Sequence, residues 1–124
     1  HDAEKFAAKE ENLRRIEKEM NEKYGAGTVK LEIKEQYRNM SEKIRPCYHL
    51  IENAEEAARR AGMEPIILPI RGGTDGARLS FMGLPCPNLG TGGYAYHGPY
   101  EHITVEGMEL AVAMLKELVK IYAE

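Results

Sequence analysis

The 124-residue sequence lacks a positive charge excess, a long apolar run and an abundance of cysteine. Its formal net charge is −3, and its basic residues alternate with acids, so nothing in it points to nucleic acid as a partner. It shows no signal peptide, and no apolar run approaches the length of a membrane span. The 43% hydrophobic and 30% charged residues predict one soluble globular domain with a real core.

The two cysteines, Cys47 and Cys86, lie far apart and in no Cys-x-x-Cys pattern. We expect two buried thiols rather than a disulfide or a metal pair, which favours a cytoplasmic protein. The chain opens with His1 and Asp2 and no initiator methionine. From this we expect a processed product or a piece of a larger protein.

The first 40 residues predict one helix and one strand. Residues 2–24 have apolar positions near a 3.6-residue period, with Asp2 as the N-cap and Gly25 after the end. From Val29 to Ile33, apolar and charged residues alternate, which is typical of a half-buried strand. One helix and one strand cannot form a core by themselves.

The remaining residues predict an α/β layered arrangement. A helix with Pro46 in its first turn ends at Gly62, and the continuous apolar run 65–70 reads as a strand buried on both faces. We further predict a short helix at 77–82, a short strand at 87–89, and a last helix at 105–123 with Thr104 as its N-cap. In such sheets, ligands bind beyond the carboxyl ends of the strands.

The stretch from Arg71 to Glu101 is rich in glycine and is the part best suited to chemistry. Arg71-Gly-Gly-Thr-Asp-Gly76 would follow a buried strand, and an arginine with bare backbone amides can hold a carboxylate or phosphate. The other reading is a tight turn in which Asp75 caps the next helix and pairs with Arg71. The spacing excludes a P-loop.

His97 is the strongest single candidate, because it lies among glycines and Glu101 follows four residues later. Histidine is the commonest metal ligand, and a nearby carboxylate can orient its ring. The alternative is a loop histidine bonded to backbone, and one histidine alone cannot hold a zinc ion. His49 and His102 are weaker candidates; His102 could cap the last helix or pair with Glu101.

The block from Arg71 to Met108 closely resembles the C-terminal end of the peptidase T family, tripeptide aminopeptidases within a larger group of two-zinc hydrolases. The matching residues are Arg71-Gly-Gly-Thr-Asp-Gly, Pro87-Asn-Leu, Thr91-Gly-Gly, His97-Gly-x-x-Glu101 and Thr104-x-Glu-Gly-Met108. The segment Tyr37-x-Asn-Met40 and the helix and strand before it are similar as well.

The resemblance implies a two-domain enzyme with two zinc ions and an inserted lid that mediates dimerisation. Residues 1–40 would be the last helix and strand of the lid, and residues 41–124 the C-terminal part of the catalytic α/β domain. His97 falls on the last zinc ligand, and Arg71 on an arginine that binds the substrate's carboxylate. The other implied substrate-binding residues, at the cleft, are Asn39, Thr91, Gly92 and Gly93.

The resemblance also implies that most of the active site lies elsewhere. The family's first histidine ligand, bridging aspartate and catalytic glutamate all lie upstream of the motifs found here. We therefore expect a fragment of a zinc aminopeptidase acting on small peptides, homodimeric when whole and inactive as this chain alone. The alternative is a non-catalytic α/β module that binds an anion or dimerises.

Overall fold

The computed structural model describes residues 3–70 and 72–124. Within these ranges the chain forms five α-helices and one antiparallel pair of short strands. The helices are α1 (Ala3–Tyr24), α2 (Ser41–Ile44), α3 (His49–Arg60), α4 (Asp75–Phe81) and α5 (Val105–Ala123), and the strands are β1 (Gly93–Tyr94) and β2 (His102–Ile103). Of the helices in this part of the chain, none is long and apolar enough to cross a membrane.

The chain divides into two compact units. The described part of the first consists of residues 3–39, 69–70 and 72–74. The second consists of Met40–Leu68 and Asp75–Glu124, and it contains α2 to α5 and both strands.

In the first unit, the predicted amphipathic helix is confirmed as α1, although Asp2, its expected cap, lies outside the described residues. Gly25 follows the helix with a φ of +104°, a conformation that glycine adopts without steric cost. The apolar stripe of α1 remains largely at the surface: Phe6, Leu13 and Ile16 are 54%, 47% and 41% exposed.

The strand predicted at Val29–Ile33 is wrong as a strand, although its alternation of half-buried and exposed residues is present. Its backbone is bonded to side chains of α1 in place of a second strand. The Asn21 amide donates to the Val29 carbonyl and accepts from the Val29 N–H, both at 2.9 Å. Glu17 accepts from the Leu31 N–H at 2.6 Å. The segment is therefore held extended by a helix.

The core of the second unit lies between α3 and α5. Ala57 and Ala58 are buried against Met114, and larger apolar side chains, among them Leu89 and Ile121, pack around them. The small side chains of Ala57 and Ala58 let the two helices approach closely.

Arg60 joins the C-terminal ends of these two helices. Its guanidinium donates to Glu124 and to Glu56, each at 3.0 Å. These hydrogen bonds, that to Glu124 first, raise the pKa of Arg60.

Three helix predictions in this unit are confirmed. Pro46 lies in a 3-10 turn (Arg45–Cys47) directly before α3, and Gly62, with a φ of +81°, follows the end of that helix. The short helix α4 begins at Asp75. Thr104 caps α5, since its Oγ accepts from the Gly107 N–H at 3.0 Å. Both cysteines are free and half-buried.

The strands predicted at 65–70 and 87–89 are wrong. Ile66, Ile67 and Leu68 are 76%, 58% and 75% exposed, and no described strand lies beside them. An apolar parallel strand needs bonded neighbours and covered faces, and residues 3–70 and 72–124 provide only the β1–β2 pair. The fold is therefore helix-rich with a small sheet, in place of the α/β layers expected.

We predict that Asn21→Ala releases the Val29–Ile33 segment from α1. Losing both amide bonds should speed hydrogen exchange at the Val29 N–H and lower the stability of the first unit by roughly 1–3 kcal/mol. Asn12→Ala is the matched control, because Asn12 bonds only the exposed Arg15 on the same helix. Equal Val29 exchange rates in the two variants, measured by NMR, would contradict this account.

Candidate functional site

A short hairpin presents His97 directly before α5. Strands β1 and β2 pair antiparallel, with Gly93 opposite Ile103 and Tyr94 opposite His102. The loop between them contains His97, and Thr104 follows β2 as the cap of α5. The hairpin therefore ties the position of His97 to the N-terminus of a long helix.

The backbone around His97 is held in an unusual conformation. Ala95 and His97 have φ values of +53° and +64°, in the left-handed region that costs a non-glycine residue of the order of 1–3 kcal/mol. The Glu101 carboxylate accepts from the His97 N–H at 3.1 Å. Glu101 therefore contacts His97 as the spacing predicts, but it bonds the backbone and not the ring, and the imidazole is exposed.

His102 has a different place from the one expected. Its ring stacks on Tyr94 across the hairpin, with centroids 5.4 Å apart and planes 18° from parallel. Its Nδ1 lies 2.8 Å from the Tyr100 carbonyl oxygen. Because a carbonyl only accepts, Nδ1 carries the proton in this bond. The stack braces the hairpin that carries His97.

Gly92 and Gly107 bring two stretches of backbone together. A Cβ on Gly92, whose φ is +82°, would lie 3.0 Å from the Gly107 carbonyl oxygen, and one on Gly107 would lie 3.1 Å from the Gly92 oxygen. Neither backbone can yield as a flexible side chain would. Gly92 therefore lies against the first turn of α5.

Tyr96 lies close to the same segment. Its hydroxyl is 3.0 Å from Thr91 Oγ, and a Cβ on Gly93 would lie 2.8 Å from that hydroxyl oxygen and 2.9 Å from the nearest ring carbon. Thr91, Gly92 and Gly93, three of the residues singled out from the sequence, thus lie in or directly before the strand that leads into the loop containing His97.

The other two candidates are Arg71 and Asn39. Arg71 lies outside the described residues. Asn39 is exposed and belongs to the first unit. In the same unit, Tyr37 packs so closely on Gly73 that a Cβ there would overlap its ring. Tyr37 and Gly73, which belong to two separate motifs of the sequence, are therefore in contact.

Comparison with known proteins identifies the family. The sequence model of peptidase family M20/M25/M40 matches residues 7–121. The chain belongs to this peptidase family. As an M20/M25/M40 peptidase chain, it is 55% identical over 123 residues to a protein named peptidase T from Clostridium perfringens, covering 99% of this chain and 30% of that protein.

Two further relatives agree. Proteins named peptidase T from Caldanaerobacter subterraneus and Desulfitobacterium hafniense are 52% and 50% identical, over 99% and 96% of this chain and 30% and 29% of their own lengths. The M20/M25/M40 chain therefore spans about 30% of the curated relatives that it matches.

Peptidases of this family generally depend on zinc, which histidine, cysteine, aspartate and glutamate side chains can bind. Among residues 3–70 and 72–124, no three His, Cys, Asp or Glu side chains lie close enough together to hold a metal ion. Zinc in a catalytic site takes about three protein ligands. The described residues therefore do not form a complete zinc site by themselves.

Sequence reasoning gave no role to two residues of this arrangement, Gly107 and Tyr96, although Gly107 lies in the Thr104-x-Glu-Gly-Met108 motif. Gly107 carries a signal open to recognition, since a glycine in the first turn of a helix is unfavourable unless something approaches it closely. Tyr96 gave no such signal, because its role depends on Thr91, a partner that only the fold brings near.

We predict that Gly92→Ala destabilises the second unit more than Gly62→Ala does. Both glycines have nearly the same φ, +82° and +81°, but nothing lies within 4 Å of a Cβ at Gly62. Gly62→Ala should cost about 1–2 kcal/mol for the left-handed conformation. Gly92→Ala should cost roughly 1–3 kcal/mol more, for overlap with the backbone of α5.

Urea unfolding of the two variants measures this difference. Equal losses in the free energy of unfolding would mean that Gly92 does not need to contact α5.

Proposed function

We propose that these residues form part of a zinc aminopeptidase that removes the N-terminal residue of tripeptides. The observation that carries the proposal is the 55% identity, over nearly the whole chain, to a relative named peptidase T. The matched 123 of 124 residues include the glycine-rich block, the hairpin and the start of α5.

His97 is proposed as the last ligand of the zinc pair. Its support is the hairpin: Glu101 and the β1–β2 pair fix the backbone, while the ring is exposed. A ligand carried on a fixed backbone loses little entropy when it binds metal. Zinc would supply an activated water and a Lewis acid when bound, and the remaining ligands would come from other residues of the assembled enzyme.

Substrate binding is proposed for Arg71, Asn39, Thr91, Gly92 and Gly93. A guanidinium matches a peptide carboxylate in charge and geometry. The glycines leave backbone amides bare, and a peptide can approach them closely. The contact of Gly92 with α5 supports this role, because it holds the segment in place and a substrate-binding backbone must be rigid.

The 124 residues alone are proposed to be inactive. Peptide hydrolysis at a metal centre needs a general base and enough ligands to hold the metal. The described residues contain no group of three ligands. Small peptides are the proposed substrates, the cytoplasm the proposed location, and residues 1–40 and 41–124 the proposed parts of the lid and catalytic domains.

We predict activity from a hybrid in which this chain replaces the matching 30% of the C. perfringens relative. The hybrid should cleave tripeptides. His97→Ala should lower its kcat/KM by more than the roughly 10–100-fold that loss of an outer-shell partner costs. His49→Ala, which changes an exposed histidine on α3, is the matched control.

Two results would refute the proposal. One is full activity in the His97→Ala hybrid. The other is tripeptide cleavage by the purified 124-residue chain itself.

A second candidate function, a dimerisation module, is favoured by the exposed stripe of α1, whose Leu13 is 47% exposed. Covering apolar side chains is a common reason for pairing of identical chains. Sedimentation tests it: the chain should be a dimer that Leu13→Glu converts to a monomer, whereas Glu10→Gln on the same helix should not. A wild-type monomer at high concentration would exclude this function.

A further inference from the structure

Ser80, on α4, is a fully buried hydroxyl with partners from two other segments. It is 2% exposed. Its Oγ donates to the Gly76 carbonyl at 2.7 Å and accepts from the Cys86 N–H at 2.9 Å. The sulfur of Met40 lies 3.9 Å away. The hydroxyl can donate only one hydrogen bond, and it donates that bond to the Gly76 carbonyl. Met40 is therefore a packing contact.

The Cys86–Gly93 segment lies directly against α4 beside this hydroxyl. A Cβ on Gly76 would be 2.5 Å from the Cys86 carbonyl oxygen and 2.9 Å from Asn88 Oδ1. Gly76 and Ser80 are one helical turn apart on α4. The missing side chain of Gly76 leaves space for the Cys86–Gly93 segment, and Ser80 forms a hydrogen bond with the N–H of its first residue. The start of the segment is therefore fixed by α4.

The middle and the end of the segment are fixed separately. Leu89 packs on the Ala57, Ala58 and Met114 cluster. Gly92 lies on Gly107 in α5. Thr91 falls between the second and third of these anchors, so its backbone position follows from all three.

We propose that Ser80 is a positioning residue for the Thr91–Gly93 backbone. It acts through the Cys86 N–H, which sets where the Cys86–Gly93 segment leaves α4. This inference rests on the proposed function only in giving Thr91–Gly93 a peptide to bind; the positioning itself is a property of this chain.

The hydroxyl can be tested apart from the volume of the side chain. Ser80→Ala removes the acceptor of the Cys86 N–H and leaves that buried donor without its partner. Ser80→Thr keeps a hydroxyl that can bond the carbonyl four residues earlier, which is where Gly76 lies. Ile121→Val is the matched control. It removes one methyl group beside the core of the same unit, and the Ile121 side chain forms no hydrogen bond with the Cys86–Gly93 segment.

Hydrogen–deuterium exchange of the 124-residue chain reads the positioning directly. Ser80→Ala should speed exchange at residues 86–93 by about 5- to 150-fold, with little change in α3 and α5. Ser80→Thr should restore slow exchange, and Ile121→Val should not single out this segment. Unchanged exchange at 86–93, or an equal rise across the whole unit, would overturn the inference.

Kinetics of the hybrid enzyme provide the second readout. Ser80→Ala should raise KM for a tripeptide several-fold with a smaller effect on kcat, as expected when substrate contacts are displaced. A fall in kcat with KM unchanged would indicate only less folded enzyme and would count against the inference. A hybrid that is inactive with wild-type Ser80 would refute the proposed function, while the exchange result would still decide the role of Ser80.

Discussion

The contact between Gly92 and Gly107 is the constraint on which the candidate site depends. A Cβ on either glycine would lie 3.0 or 3.1 Å from the backbone oxygen of the other, which is tighter than most side-chain contacts, so Gly92 lies against the first turn of α5. The hairpin that begins at Gly93 inherits this position, and the Tyr94–His102 stack and the Glu101 bond then fix the backbone of His97. Helix α5 is itself held by α3 through alanines and Met114. Within the second unit, a series of contacts therefore connects the α3–α5 core to the backbone of the exposed His97.

The same structure leaves much apolar surface uncovered. Ile66 and Leu68, in the run predicted as a buried strand, are 76% and 75% exposed. A chain spanning about 30% of its relatives' length cannot be expected to supply every layer that such a run needs. Uncovered apolar residues and an incomplete ligand set agree with the proposal that these residues form one wall of a larger site.

Local features could be predicted from the sequence, whereas those that need distant partners could not. The apolar periodicity predicted the helices, and Gly25, Gly62 and Thr104 predicted where three of them end or begin. Each of these signals depends on only a few neighbouring residues. The strand predictions were wrong because a strand needs a second strand to form backbone hydrogen bonds with. At Val29, the Asn21 side chain forms those hydrogen bonds instead. At the site, the glycine-rich block and His97 were recognisable. The role of Ser80 depends on the Cys86 N–H, which lies beyond the end of α4, and no local pattern could reveal it.

The central proposal is that this chain contributes His97 to a zinc site that the described residues do not complete. Zinc titration of the purified 124-residue chain, compared with its His97→Ala variant by isothermal calorimetry, tests this most directly. The account predicts weak binding that dialysis removes and that His97→Ala weakens further, since one imidazole replaces few of the metal's waters. Tight one-to-one binding, retained through dialysis or unaffected by His97→Ala, would contradict it.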